Sequence, residues 1–383
     1  MDAENASRIK AWLQQDIDWG YLIRTASLHG MIPLLYRNLK AVCPEAIPRP
    51  VLAELQNCFF DNARRNLFLT GELLRLLSLF KAEGIDAIPF KGPLLAAWIY
   101  HNLALRPFGD LDLLVHKQDV LKCRELLIFQ GYRLWIQMTD AQEMAHLQSE
   151  HAYRLVGDDN GVIVELHWDL IPRYFAFPLD VEQLWGRLES IPFAGTIVKS
   201  FKAEDLLLIL CMHGAKHHWS RLGWICDIAE LIRVPQALNW KQMMEQARQL
   251  NGMRRLFLGL FLARDLLGAT LPEEVSHRLE KTPALPSLAA EVRGQLFHQG
   301  HGAPGIIAES RFQFKVMERL QDKVQYIGHC LLAPNDRDWA FLPLPASFSF
   351  LYFLLRPIRL VGEQGPHLFK RLMGNRSREH HQE

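Results

Sequence analysis

The hydrophobic period of this chain changes twice, and the island between the two changes constrains the fold more than any other feature. From about Ser7 to Phe80 apolar residues recur at three- and four-residue spacing, as in Ile9, Trp12 and Leu13, then Tyr21, Leu22 and Ile23, then Leu67, Phe68, Leu73, Leu74 and Leu77. That is the period of amphipathic helices. Between Ile85 and His167 it gives way to short apolar runs at 87–90, 111–115, 132–136 and 162–167, which read as strands. Helices fit between them at 94–100 and 120–130, the second stopped by Gly131. After Ala203 the helical spacing returns through Leu206, Leu207, Leu210 and Met212, then Ile225, Ile228, Leu231 and Ile232. The pattern predicts a mixed α+β chain: a helical region over 1–80, an α/β core over 81–200, a helical domain over 201–338, an apolar segment over 339–362 and a basic, disordered tail over 363–383. Pro and Gly repeated over 268–310 predict short helices with loops.

Composition excludes several classes. Hydrophobic residues make up 49% and charged ones 22% of 383 residues, which argues against wholesale disorder and against a disulfide-stapled scaffold. Forty-three Lys plus Arg oppose forty-two Asp plus Glu, a formal charge of +1. With no global field to attract a polyanion, long nucleic acid is not an expected partner and recognition must be local. The six cysteines, Cys43, Cys58, Cys123, Cys211, Cys226 and Cys330, form no CxxC pair, and the start MDAENASRIK lacks a basic-then-apolar leader, so a reducing cytoplasmic setting is expected. The longest uncharged run, Trp339 to Leu355, is broken by Pro343 and Pro345 and is no regular membrane span. It admits two readings. Phe350, Leu351, Leu354 and Leu355 can form one buried helical face, or the 339–371 region can sit peripherally on a membrane with Arg356, Arg359, Lys370 and Arg371 near anionic head groups.

The chemistry concentrates in the island. In Phe108-Gly109-Asp110-Leu111-Asp112-Leu113-Leu114-Val115 two carboxylates stand at i and i+2 of an apolar run, so in a strand Asp110 and Asp112 share a face. Their mutual repulsion is relieved by hydrogen bonds, a shared proton or a divalent cation. In Gly161-Val162-Ile163-Val164-Glu165-Leu166-His167-Trp168 a second apolar run offers Glu165, with Ile163 and His167 on its side. Were the two strands neighbours, three carboxylates would converge as in sites that hold two Mg²⁺ ions for in-line displacement at phosphorus. Upstream, Lys91-Gly92 sits where a strand turns into a helix whose first N–H groups suit a phosphate, and Arg106 adds a guanidinium fork.

The ordered set Lys91-Gly92, Arg106, Gly109-Asp110-Leu111-Asp112 and Glu165-Leu166-His167-Trp168 resembles an uncharacterised nucleotidyltransferase family of the DNA polymerase-β superfamily. The likeness extends to Trp19, His29-Gly30 and Pro33-Leu34-Leu35 before it, and to His213, Lys216-His217, Trp219, Asp227, Tyr352 and Arg356-Pro357 after it. It implies a small mixed sheet flanked by helices, Mg²⁺ or Mn²⁺ as cofactor and a nucleoside triphosphate as substrate. It further implies transfer of a nucleoside monophosphate, with pyrophosphate released, to a small-molecule, glycan or protein acceptor. By resemblance Asp110 and Asp112 bind both metals, while Glu165 binds the catalytic metal and helps deprotonate the acceptor. Lys91, Gly92, Arg106, Gly109, Lys216 and His217 then bind the nucleotide. His167, His213, Arg221 and Asp227 are acceptor-side or supporting residues.

Two departures from the superfamily pattern stand out. Pro93 follows Gly92 where Gly or Ser is usual, removing an N–H or hydroxyl, and the third acid is Glu rather than Asp. His213 and His217, four apart on a helix, have zinc spacing without an HExxH glutamate; contacts from Lys216, His217 and Arg221 to nucleotide or acceptor are the stronger reading. Asp227, acidic among apolar neighbours, is expected to anchor Lys216 or Arg221, and Trp168, Trp219 and Trp224 to pack in the core. Two alternatives remain at this stage. One is a DxD glycosyltransferase using a sugar nucleotide, although such a fold needs a doubly wound region before the DxD. The other is a nucleotide-binding regulatory protein without turnover.

Overall fold

The four short apolar runs and one further, alternating strand pair into one mixed sheet. In a computed structural model, which describes residues 3–234, 238–297, 306–342, 344 and 346–362, the strands are Ala87–Pro89 (β1), Asp110–Val115 (β2), Tyr132–Leu134 (β3), Ala152–Gly157 (β4) and Ile163–His167 (β5). Their spatial order is β1-β2-β5-β4-β3, with β2 and β5 parallel and the other neighbours antiparallel. β2 is buried from Leu111 to Val115, as its uninterrupted apolar run requires. Only β1 precedes β2 among the described strands, so no doubly wound region leads into the DxD.

β4 was not anticipated. Its side chains alternate, with Tyr153 and Leu155 buried and Arg154 exposed, so it carries no continuous apolar run. A separate hairpin, Glu189–Phe193 (β6) with Thr196–Ser200 (β7), was missed for the same reason: Ile197 is exposed and Lys199 lies outside the core. Ala194 and Gly195 both take positive φ at its turn, the geometry that matches strand twist in a two-residue hairpin.

The longest helix, Arg49–Ala82, buries Leu55, Leu69, Leu73, Leu76 and Phe80 but leaves Leu67 and Phe68 exposed, so only part of its apolar pattern is core. Its buried Asn66 donates Nδ2 hydrogen bonds to Leu103 O at 2.6 Å and Arg106 O at 2.9 Å, and Asn62 Nδ2 donates to Ala104 O at 2.9 Å. These bonds satisfy carbonyls of the loop leading into β2 and fix its path.

By internal contacts the chain forms two units. One comprises residues 1–135, 151–171 and 177–318; it contains both sheets and the helices Ala203–Lys216, Leu222–Arg233 and Met253–Leu267. Between the first two of these, His218 and Trp219 adopt left-handed φ of 56° and 50°, and Trp219 is fully buried over Gly214, where an added Cβ would lie 2.4 Å from its ring.

The other unit comprises residues 136–150, 172–176 and 319–383. Within it Asp338 accepts hydrogen bonds from Arg356 Nη1 and Arg359 Nε, each at 2.7 Å, and all three residues are buried. This corrects the buried-face reading of the apolar segment: Phe350 and Leu354 are exposed rather than part of one buried face, and Arg356 and Arg359 are paired with Asp338. Pro343, Pro345 and the 363–383 tail, with Lys370 and Arg371, lie outside the described residues. Among the described residues no helix is long and apolar enough to cross a membrane.

Candidate active site

Strand register brings the acids together. Asp112 pairs with Glu165 and Asp110 with Ile163 across the parallel β2–β5 ladder, so Asp110, Asp112, Glu165 and His167 stand on one face. Ligand atoms of Asp112, Glu165 and His167 lie within 4.8 Å of one another, a set able to hold a metal ion. Asp110 stands one pleat farther along the same face. His167 Nε2 is 3.2 Å from Asp112 Oδ1 and 3.6 Å from Glu165 Oε2, and Lys91 Nζ donates to Asp112 Oδ1 at 3.0 Å. Sequence reasoning had given His167 only a supporting role; its position two residues after Glu165 was the available signal. Arg154 was missed altogether: facing Glu165 across the β5–β4 ladder, its Nε lies 4.0 Å from Glu165 Oε1.

The electrostatics follow from this crowding. Burial, then the charges of Asp112 and Glu165, push Asp110 up to about 6. Burial pushes Asp112 the same way, but Lys91 and His167 outweigh it and hold the carboxyl well below the usual range. For Glu165 burial is again opposed, mainly by the hydrogen bond from His167, and the result is a lowered value. His167 is raised, because bonds to Asp112 and Glu165 overcome the burial that disfavours its cation. The Lys91 ammonium and the His167 ring thus already stand beside the three acids.

Gly92 sits at the start of the Gly92–Tyr100 helix with φ +52, and a Cβ there would lie 3.2 Å from Asp110 O. Only glycine lets this turn approach the carboxylate strand so closely. Pro93, at the second helical position, forfeits an N–H that would have no intrahelical partner, and the N–H groups of Gly92 and Leu94 in the same turn likewise have none.

Arg106 has a different situation from the one expected. Its Nε and Nη2 donate to the two oxygens of Asp227 at 2.8 and 2.9 Å, and Tyr100 Oη donates to Asp227 Oδ1 at 2.9 Å. Asp227 therefore anchors Arg106 and Tyr100, not Lys216 or Arg221. The pair is almost wholly buried, which is why Asp227 sits among apolar neighbours. Lys216 Nζ instead lies 3.1 Å from His151 Nε2, and the His151 ring is 5.6 Å from that of His167. Arg221 lies over the Trp224 ring at 5.9 Å.

The His213 and His217 rings are tilted against each other with centroids 4.7 Å apart, and both pack against Trp224, His213 edge-on. Burial and then nearby cations, Lys91 among them, lower both; His217 falls to about 3, so its ring is neutral at physiological pH. The one group with metal-ligand spacing among the described residues is Asp112, Glu165 and His167, not this histidine pair. Trp168 and Trp219 are core residues, whereas Trp224 lines a cavity of about 300 Å³ beside Gly109.

Comparison with known proteins adds a family. Residues 15–268, well over half of the chain, match the family described as uncharacterised nucleotidyltransferase. A crystal structure of an antigenic nucleotidyltransferase-like protein from Paracoccidioides brasiliensis is similar at 17% identity and a TM-score of 0.34, over 60% of this chain and 96% of that one. No curated protein matches.

Proposed function

The chain belongs to the uncharacterised nucleotidyltransferase family, and from that membership and the one-face carboxylates we propose that it moves a nucleoside monophosphate from a nucleoside triphosphate to an acceptor hydroxyl or phosphate, releasing pyrophosphate. The observation that carries this reading is the register of Asp112 with Glu165, which puts three acids on the face bordered by Lys91 and Gly92. The donor set fits a hard divalent cation: Asp110, Asp112 and Glu165 supply the oxygens, and the Lys91 ammonium held on Asp112 marks the negative potential that a cation would meet. Held there, Mg²⁺ or Mn²⁺ would polarise the phosphoryl group and offset its charge.

The protein's own side chains divide the remaining tasks. Lys91 can leave Asp112 for the β- and γ-phosphates, and the Gly92 and Leu94 N–H groups give the leaving pyrophosphate further donors. Glu165, ionised and within reach of His167 Nε2, is positioned to accept the acceptor's proton. Arg106, tied to Asp227, contributes a fixed positive charge near Asp110. Lys216 and His217 remain nucleotide contacts in this reading, with His213 and Asp227 behind them, while Arg221 stands on the acceptor side.

The direct test is incubation with each labelled nucleoside triphosphate and Mg²⁺ in cell extract, followed by isolation of a labelled product and measurement of pyrophosphate. No Mg²⁺-dependent triphosphate binding would refute the assignment. Within the same assays Lys91→Ala is expected to weaken triphosphate binding by about tenfold and monophosphate binding much less, since a lost charge-assisted bond is worth roughly 1.5–3 kcal/mol. Equal losses on both ligands would make Lys91 a structural counter-ion of Asp112 alone.

Acidity gives an independent check. Asp110, raised to about 6, is largely protonated at pH 5 and largely ionised at pH 7, whereas Asp112 and Glu165 stay ionised throughout. Cation binding must displace the Asp110 proton, so Mn²⁺ affinity should fall about tenfold on acidification from pH 7 to 5. Titration calorimetry in buffers of different ionisation enthalpy should register a released proton near pH 5.5. An affinity flat across that range would contradict the assigned ligand set.

A further inference from the structure

The cavity beside Gly109 opens one residue before Asp110, yet Asp110, Asp112, Glu165 and Lys91 do not line it. Its charged lining is Arg65, Arg106, Arg221 and Asp227, and the single carboxylate is already matched by Arg106. Arg65 makes one long bond, from Nη2 to Gly109 O at 3.4 Å, and Arg221 rests over Trp224; among the described residues neither has a carboxylate partner. The wall therefore carries two positive charges without counter-ions, in a recess of about 300 Å³ that can concentrate an anion.

A second pocket of about 600 Å³ shares Ser27, Gly30, Asn62 and Pro107 with the first. Most of its remaining wall is apolar, from Ile23, Leu28, Ile32 and Pro33, with Arg24 and Glu54 as its charged members. The helix end that shapes both recesses is fixed, because His29 O accepts the Gly223 N–H at 3.1 Å and His29 Nε2 bonds Leu296 O at 2.8 Å. A ligand that matches both recesses has a charged end and an apolar body.

We propose that these adjoining recesses are the acceptor subsite and take an amphipathic anion, its phosphate or carboxylate between Arg65 and Arg221 and its apolar part along Leu28. Asp110 and Asp112, the acids that would hold a metal and the triphosphate, do not line this cavity, so an anion seated in it would answer to Arg65 and Arg221 instead, as a second molecule would. The word acceptor rests on the nucleotidyl-transfer reading; the binding of an amphipathic anion does not.

The test measures binding to the full chain by calorimetry, with octyl phosphate below its micellar concentration, octyl glucoside as the uncharged control, inorganic phosphate and Mg·ATP as probes. Octyl phosphate should bind at least about tenfold more tightly than octyl glucoside or inorganic phosphate. The double variant R65Q/R221Q should lose about tenfold or more for octyl phosphate and keep Mg·ATP affinity within about twofold. Leu28→Asp should weaken octyl phosphate and leave inorganic phosphate unchanged. These side chains are exposed, so circular dichroism should show the fold retained. Equal binding of octyl phosphate and octyl glucoside would overturn the proposal, as would an equal loss of Mg·ATP in R65Q/R221Q, which would give the cavity to the nucleotide. Mg·ATP binding unaffected by Asp112→Asn would instead remove the nucleotidyl-transfer reading and leave the anion site standing.

Discussion

Asp112→Asn should lower Mg²⁺-dependent nucleotidyl transfer by about a thousandfold. Asp112 is the most tightly engaged acid of the cluster, with Lys91 Nζ at 3.0 Å and His167 Nε2 at 3.2 Å from the same oxygen. An amide of the same shape keeps the packing and loses the charge that holds metal. Metal stabilisation of a phosphoryl transition state is worth several kcal/mol, and roughly 4 kcal/mol is a thousandfold in rate. Pyrophosphate release measures the rate, and Mn²⁺ binding gives a readout that needs no acceptor. Lys91 loses its ion partner in this variant, so thermal melting must accompany the assay. A folded Asp112→Asn protein with undiminished Mn²⁺ affinity would contradict the metal assignment.

The largest effect on stability is expected from Asp227→Ala, at about 3–5 kcal/mol, because it strands a buried guanidinium and the Tyr100 hydroxyl without an acceptor. Urea unfolding should show a lower midpoint with an unchanged slope. The double variant Arg106→Met with Asp227→Leu should recover most of the loss, since apolar groups of similar volume often replace a buried ion pair at little cost. A loss below about 1 kcal/mol in Asp227→Ala would mean that solvent relieves Arg106, and the pair would then not be the support described above.

What the amino-acid sequence disclosed divides along physical lines. β2 and β5 were legible because both read as apolar runs, β2 buried on both faces from Leu111 and β5 buried at Val164 and Leu166, against which Asp110, Asp112 and Glu165 stand out. β4 and the β6–β7 hairpin were not, because a strand with one wet face mixes polar and apolar residues over too few positions. The mutual register of β2 and β5 is a long-range choice that no local pattern encodes, and the proximity of Glu165 to Asp112 depends on it entirely. The partner of Arg106 was hidden for a similar reason: Asp227 lies 121 residues away, and several cations closer in sequence were equally plausible. Arg65 gave no signal at all, being one of many charged residues on the exposed side of a long helix.

The buried knot of Arg106, Asp227 and Tyr100 has a meaning for how such proteins can diverge. It ties the loop before β2, the Gly92–Tyr100 helix and the Leu222–Arg233 helix together from inside, while the residues that give the neighbouring recess its charge, Arg65 and Arg221, are exposed and carry little of the packing. Exposed substitutions away from such knots usually shift stability by no more than about 0.5 kcal/mol. A lineage can therefore exchange the recess's charge, and with it the molecule welcomed there, without reopening the problem of folding. Frame and preference are inherited separately: the knot must be kept whole, whereas the arginines at the rim are free to drift toward a new ligand.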